Sequence, residues 1–221
     1  MKKKIPSDMV VGAEFETNNY GRLVVVEYRS AYDVEVEFVS TGFKTSVQSE
    51  HIRSGLVKDK LSPTVCGVGF IGDGWFSSRD RDTYQCWYAM IVRCYDEKRQ
   101  SKYPTYKGCV VCDDWHNFQN FAKWYKENYP KDGGKYQLDK DLSCYGSRGK
   151  LYSPEACIFV TAQVNSEEAN AKSYRFKNPN GEVVNIYNLR KFCRENNLNA
   201  GNLHQVSVGK AKSCKGWTMA D

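Results

Sequence analysis

The 221-residue sequence predicts an α+β protein. Three observations predict it: short strands of period-two alternation before residue 60, aromatic residues at helical spacing between 83 and 128, and a basic hairpin followed by two short helices after 174. The expected organisation is a small β-barrel over 1–60, a linker over 61–82, a mixed core over 83–170 and a helix-turn-helix-like module over 174–221.

The N-terminal strands are the plainest. Arg22–Tyr28 is rich in β-branched residues, and Val34, Val36 and Phe38 alternate with Glu35 and Glu37. Turn residues Asn19-Tyr20-Gly21 and Ser40-Thr41-Gly42 punctuate them. Strands so short and regular predict an antiparallel, SH3-like barrel. Its acidic strand face is a poor surface for tracking phosphates and points to a spacer or a protein contact. Pro63, Gly67, Gly69, Gly72 and Gly74, followed by the mixed charges of Ser77–Asp82, predict a loop-rich connection.

Periodicity then changes. Trp87, Met90, Ile91 and Cys94 recur at i, i+3, i+4 and i+7, which predicts an amphipathic helix over 83–99. Phe118, Phe121, Trp124 and Tyr125 predict a second, from about His116 to Asn128. At this spacing the aromatics read as core rather than as a base-stacking platform. Further on, Pro179-Asn180-Gly181 turns a hairpin that begins at Tyr174. Leu189, Phe192 and Cys193 share one face of a helix over Tyr187–Asn196, Asn197–Ala200 breaks it, and Gly201–Val208 forms another.

Composition bounds the partners. Hydrophobic residues make up 41% of the chain, yet no apolar run approaches the roughly 18 residues of a membrane span. The basic start MKKKIP has no apolar signal core behind it, and nine scattered cysteines do not form a secreted disulfide framework. A reducing cytoplasm is therefore expected, and no membrane partner. The formal charge of +6 is not evenly spread: residues 171–221 carry nine basic and three acidic side chains, which is the whole surplus. That concentration fits a polyanion.

Two stretches resemble known families. The run QLDKDL (137–142), followed by YSPEACIFV (152–160) and Asn165, resembles the core of phage and intron-borne HNH (His-Me finger) endonucleases. The upstream Trp87, Met90, Arg93-Cys94-Tyr95 and Trp115, Phe118, Phe121 fit the helical frame of those proteins. Residues 180–217, from Asn180-Gly181-Glu182 to Lys215-Gly216-Trp217, resemble the modular DNA-binding repeats attached to homing nucleases. Together they cover roughly 83–218 and imply a ββα-metal core at 83–170. They also imply metal-dependent nicking or cleavage of double-stranded DNA, in a bacterial host cytoplasm if the gene is phage-borne.

The resemblance assigns roles. Asp139 stands at the first metal-ligand position and Asn165 at the ligand position on the following helix; both offer oxygen, which suits one Mg²⁺ or Mn²⁺. Asp141 is a second ligand or an alternative base. Lys140 departs from the family, which usually places its histidine base there. A lysine acts as a base only when burial or neighbouring charge pulls it well below the roughly 10.4 of a free amine. Between Asp139 and Asp141 it is better suited to contacting phosphate or stabilising the transition state. Asn202, His204 and Gln205 are candidates for base edges, and Arg190, Lys191, Lys210, Lys212 and Lys215 for phosphates. Cys109 and Cys112 have zinc-knuckle spacing that Cys144 and Cys157 could complete, although Val110 and Val111 between the pair read as strand and favour buried thiols over structural Zn²⁺. Two alternatives accompany the nuclease: a DNA-binding protein that kept the fold without catalysis, and a phage protein that blocks a host factor through its N-terminal domain.

Overall fold

The computed structural model of the chain describes residues 5–140 and 149–220. It is a mixed α and β structure of two compact units, one of Met1–Glu127 with Gly149–Glu155 and the other of Asn128–Arg148 with Ala156–Asp221. Among the described residues no helix is long and apolar enough to cross a membrane.

The first unit opens with strands β1 (Glu14–Thr17), β2 (Gly21–Ser30), β3 (Asp33–Phe38) and β4 (Lys44–Val47), an antiparallel meander in sequence order. Alternation sets its faces. Val34, Val36 and Phe38 are buried with Leu23 and Val25, while Arg29 on the other face meets Glu27, Asp33 and Glu35. Such exposed pairs contribute little each and mainly keep the face polar. The expected barrel does not close. Among the described residues β1 pairs only with β2 and β4 only with β3, so the sheet is open. Four strands are too few to wrap on themselves. The apolar face is covered instead by Met9, Phe43, Val57 and Ile52, the last from α1 (Ser49–Arg53).

Residues 61–80 contain no helix or named strand, but they are docked by side chains from far along the chain. Gln119 accepts from the Phe76 N–H (2.9 Å) and donates to the carbonyls of Phe76 (3.0 Å) and Ile71 (3.2 Å). Gly72 has φ +76°, and a Cβ there would overlap the Asn117 carboxamide. Gly72→Ala is therefore expected to lower stability by at least about 2 kcal/mol, or roughly 4–8 °C in Tm, by thermal denaturation.

Helix α2 (Arg81–Tyr95) buries Thr83, Trp87, Met90, Ile91 and Cys94. It stops at Asp96, whose carboxylate accepts from the Arg99 N–H (2.6 Å) and caps a new helix, α3 (Glu97–Lys102). A 3-10 turn (Pro104–Tyr106), strand β5 (Val110–Val111) and helices α4 (Asp113–His116) and α5 (Phe118–Asn128) follow. The aromatics are core: Trp87 and Trp115 each meet a buried phenylalanine edge-on, at 5.4 and 5.1 Å between ring centroids. The Trp87 indole N–H donates to the Trp115 carbonyl (2.7 Å). Strand β6 (Tyr136–Asp139) belongs to the second unit, whereas β7 (Leu151–Tyr152) returns to the first and pairs in parallel with β5.

In the second unit β6 pairs antiparallel with β8 (Ile158–Thr161), which runs directly into α6 (Ala162–Ala169). The Thr161 hydroxyl caps that helix by accepting from the Val164 N–H (3.3 Å). A second sheet, ordered β10-β9-β11, is built from β9 (Ser173–Lys177), β10 (Val183–Tyr187) and β11 (Thr218–Met219). Helices α7 (Leu189–Glu195) and α8 (Ala200–Ser207) lie on it, enclosing Phe176, Ile186, Leu189, Cys193, Leu203 and Val206.

Candidate functional site

The antiparallel pair β6–β8 followed by α6 brings Asp139 and Asn165 into one small motif. Asp139 ends β6 opposite Ile158. Asn165 sits in the first turn of α6, and its Nδ2 donates to Gln137 Oε1 at 2.6 Å. Gln137 and Asp139 are two residues apart on a strand and so share a face, about 7 Å apart along it. With its amide nitrogen committed to Gln137, Asn165 presents its Oδ1 as the remaining polar atom. An aspartate carboxylate and an amide oxygen are hard donors, and a small set of them suits a cation that keeps most of its water, as Mg²⁺ does. Among the described residues no three His, Cys, Asp or Glu side chains gather as a metal site.

Lys140 lies at the bend that ends β6 and is buried, 7% exposed. A lysine so placed is a fixed group rather than a mobile surface charge. Asp141 and Cys144 lie outside the described residues. Cys109 and Cys157 are buried, and burial pushes the half-buried Cys112 thiol up. Of the histidines, His116 is held by a hydrogen bond between its Nε2 and the Tyr95 hydroxyl (3.1 Å), and Tyr95 also accepts from the Val111 N–H (3.1 Å). That pair braces β5.

Strand β7 is anchored by a residue of the helical frame. Its Tyr152 is buried, which pushes the phenol well up, and the Arg93 guanidinium of α2 hydrogen-bonds to it. Arg93 also lies over the Tyr106 ring, 5.8 Å from its centroid. Helix α2 and strand β7 therefore meet in space through Arg93 and Tyr152.

In the C-terminal part, α7 and α8 are joined by the short segment Asn196–Asn199, with Asn197 at φ +51°. Both helices are capped by asparagine: Asn188 Oδ1 accepts from the Lys191 N–H (3.1 Å) and Asn199 Oδ1 from the Asn202 N–H (2.9 Å). Arg190 and Lys191 are exposed in the first turn of α7. Asn202, His204 and Gln205 are exposed on α8, whose Leu203 and Val206 are buried. Lys210, Lys212 and Lys215 are exposed in the segment after it, although the Lys215 ammonium donates to the Asn197 carbonyl (3.1 Å) and helps fix that turn.

Three further side chains shape the site without standing out in the sequence. Gln137 orients Asn165, and Glu167 and Arg194 lock α6 to α7, with Arg194 Nη1 2.7 and 2.9 Å from the two carboxylate oxygens of Glu167. Arg194 and then Gln163 hold the Glu167 carboxyl below the usual range. Asn188 Nδ2 adds a bond to Glu168 (3.3 Å). Gln137 lies on Asp139's side of a recognisable strand, a signal that strand alternation alone supplies; the Glu167–Arg194 pair spans 27 residues and has no local signature. Comparison of the chain with protein-family models, with curated proteins and with solved structures returned no match.

Proposed function

We propose that this chain is a cytoplasmic, metal-dependent DNA endonuclease of the HNH type that nicks or cleaves double-stranded DNA. One observation carries the reading: a β6–β8 pair running into α6, with Asn165 bonded to Gln137 on the side of the strand that carries Asp139. In this reading Asp139 and Asn165 Oδ1 hold one Mg²⁺ or Mn²⁺. The bound ion supplies Lewis-acid stabilisation of the oxygen that leaves phosphorus. Gln137 keeps the Asn165 amide turned, and Lys140, which follows Asp139 in sequence, supplies positive charge to the phosphate in this reading. The basic α7–α8 module takes the duplex, with Asn202, His204 and Gln205 toward base edges and Arg190, Lys191, Lys210, Lys212 and Lys215 toward phosphates. The bond between α6 and α7 through Glu167 and Arg194 fixes the distance from the module to the cut.

The test is plasmid nicking with Mg²⁺ or Mn²⁺. Wild type is expected to convert supercoiled plasmid to open circles, and Asp139→Ala or removal of the metal to slow it by about 10²-fold or more, since a catalytic ion contributes several kcal/mol. Absence of cutting by wild type would favour the second reading, a DNA-binding protein without catalysis. The buried Lys140 in place of a histidine is the observation on that side.

A further inference from the structure

The second unit contains a cleft of about 460 Å³ whose walls come from the end of α6, the start of β9 and the first turns of α7 and α8. Lys172, Tyr174, Arg190 and His204 line it, together with Glu167. Only Arg190 and His204 stand out in the sequence, and there they belong to different helices with different expected tasks. The fold gives them one cavity.

The chemistry of the walls favours an anion. Among the described residues Glu167 is the one carboxylate in these walls, and it is engaged by Arg194 (2.7 Å) and Gln163 (3.0 Å). Lys172 and Arg190 are exposed, and among the described residues neither is within salt-bridge distance of a carboxylate, although the Arg190 charge helps to hold the Glu167 carboxyl down. His204 Nδ1 is near the Ser207 hydroxyl (3.3 Å), which leaves Nε2 as its other polar edge. Tyr174 is half-buried beside the Phe176 ring, at 6.1 Å between centroids, and offers a flat wall. The frame is tied together: the buried Asn188 caps α7, donates from its backbone to the Lys172 carbonyl (3.2 Å) and from its side chain to Glu168 (3.3 Å). The volume lies within the range of pockets that take small ligands and exceeds what a bare phosphate fills, so there is room for an attached sugar.

We propose that this cleft seats a backbone phosphate of a DNA strand, with Lys172 and Arg190 on the phosphate oxygens and Tyr174 against the adjoining sugar. The proposal rests on the DNA-binding reading above and adds a site to it. The cleft and the candidate metal ligand Asn165 share helix α6.

The test is binding of a labelled 30-base-pair duplex by fluorescence anisotropy across a series of KCl concentrations, with EDTA to prevent cutting. Each lost phosphate contact removes about one from the slope of log affinity against log salt. Lys172→Gln/Arg190→Gln is expected to bind about ten-fold or more weakly with a slope lower by about 1 to 2, and Lys172→Arg/Arg190→Lys to restore both. Equal affinity and slope for wild type and the glutamine variant would overturn the proposal while the DNA reading stands. If wild type binds no duplex, the DNA reading fails separately. The cleft is then judged by titrating AMP and inorganic phosphate while following the His204 ring by NMR. A shift in wild type that the glutamine variant lacks would place a free phosphate ligand there, and overturn the DNA-strand assignment. No shift would overturn the site altogether.

Discussion

Trp87→Ala is expected to destabilise the protein more than any other single substitution proposed for it. Trp87 is fully buried, with Phe118, Tyr84 and Gly69 against its ring. Removing so large a side chain from a packed core costs about 3–5 kcal/mol. The Trp115 carbonyl, which accepts from the indole at 2.7 Å, is also left without that donor, adding about 1–3 kcal/mol. The sum is a large part of the roughly 5–15 kcal/mol that holds an ordinary domain folded. Thermal denaturation should show Tm falling by more than about 10 °C. Trp87→Phe keeps a ring in the core but loses the hydrogen bond and should fall between wild type and alanine. Trp75 is 100% exposed, so Trp75→Ala should change stability by no more than about 0.5 kcal/mol. Equal effects at the two tryptophans would overturn the assignment of Trp87 to the core.

That contrast shows what the sequence can reveal. Trp87, Met90, Ile91 and Cys94 keep a helical period, and all four are buried on α2. The expected helix over 83–99 runs too far because Asp96 adopts an extended backbone and caps the next helix. A cap interrupts the backbone without interrupting the hydrophobic pattern. Asn117, extended between α4 and α5, likewise cuts the helix expected from His116. Asn188, left-handed at φ +61°, delays the helix expected from Tyr187. In the N-terminal sheet, alternation identifies the buried side of β3 but says nothing of which edge strands pair, because pairing of β1 with β4 would be a contact between distant segments. The barrel expectation failed on that point. The connection over 61–82 carries only glycine and proline signals, while its anchor, the Gln119 amide, lies 43 residues beyond Phe76.

The candidate site was legible to the same degree and for similar reasons. Asp139 and Asn165 stand out only through the order of motifs along the chain; their proximity depends on β6 pairing with β8, which no local period encodes. Gln137 could be placed on Asp139's face by counting, but its bond to Asn165 joins residues 28 apart. Charge gave the C-terminal surplus yet not its grouping. Arg190 and His204 share a cleft with Lys172 and Tyr174, whereas Lys210, Lys212 and Lys215 do not line it.

The largest functional effect is expected at position 140. Lys140→His should raise the nicking rate in Mg²⁺ by about 10²-fold, the lower end of what a positioned general base contributes. The lysine is buried at the bend after β6, so a histidine built there is held in place rather than swinging in solvent. An ordinary imidazole, with a pKa of about 6.5, is largely neutral at pH 7.5 and can take a proton from water as its oxygen attacks phosphorus. The rate of the histidine variant should therefore rise with pH through a midpoint at or below the ordinary imidazole value of about 6.5 and level off, since the neutral base is the active form and burial disfavours the charged ring. Lys140→Ala separates two causes that the histidine variant combines, removal of an amine and arrival of a base. If histidine and alanine cut equally fast, position 140 is not where the attacking water is activated, and Asp141 becomes the next base to replace. If alanine is slower than wild type, the lysine itself assists the reaction, through its charge on the phosphate. A gain confined to histidine would identify the buried lysine as the element that holds a nuclease site at low activity.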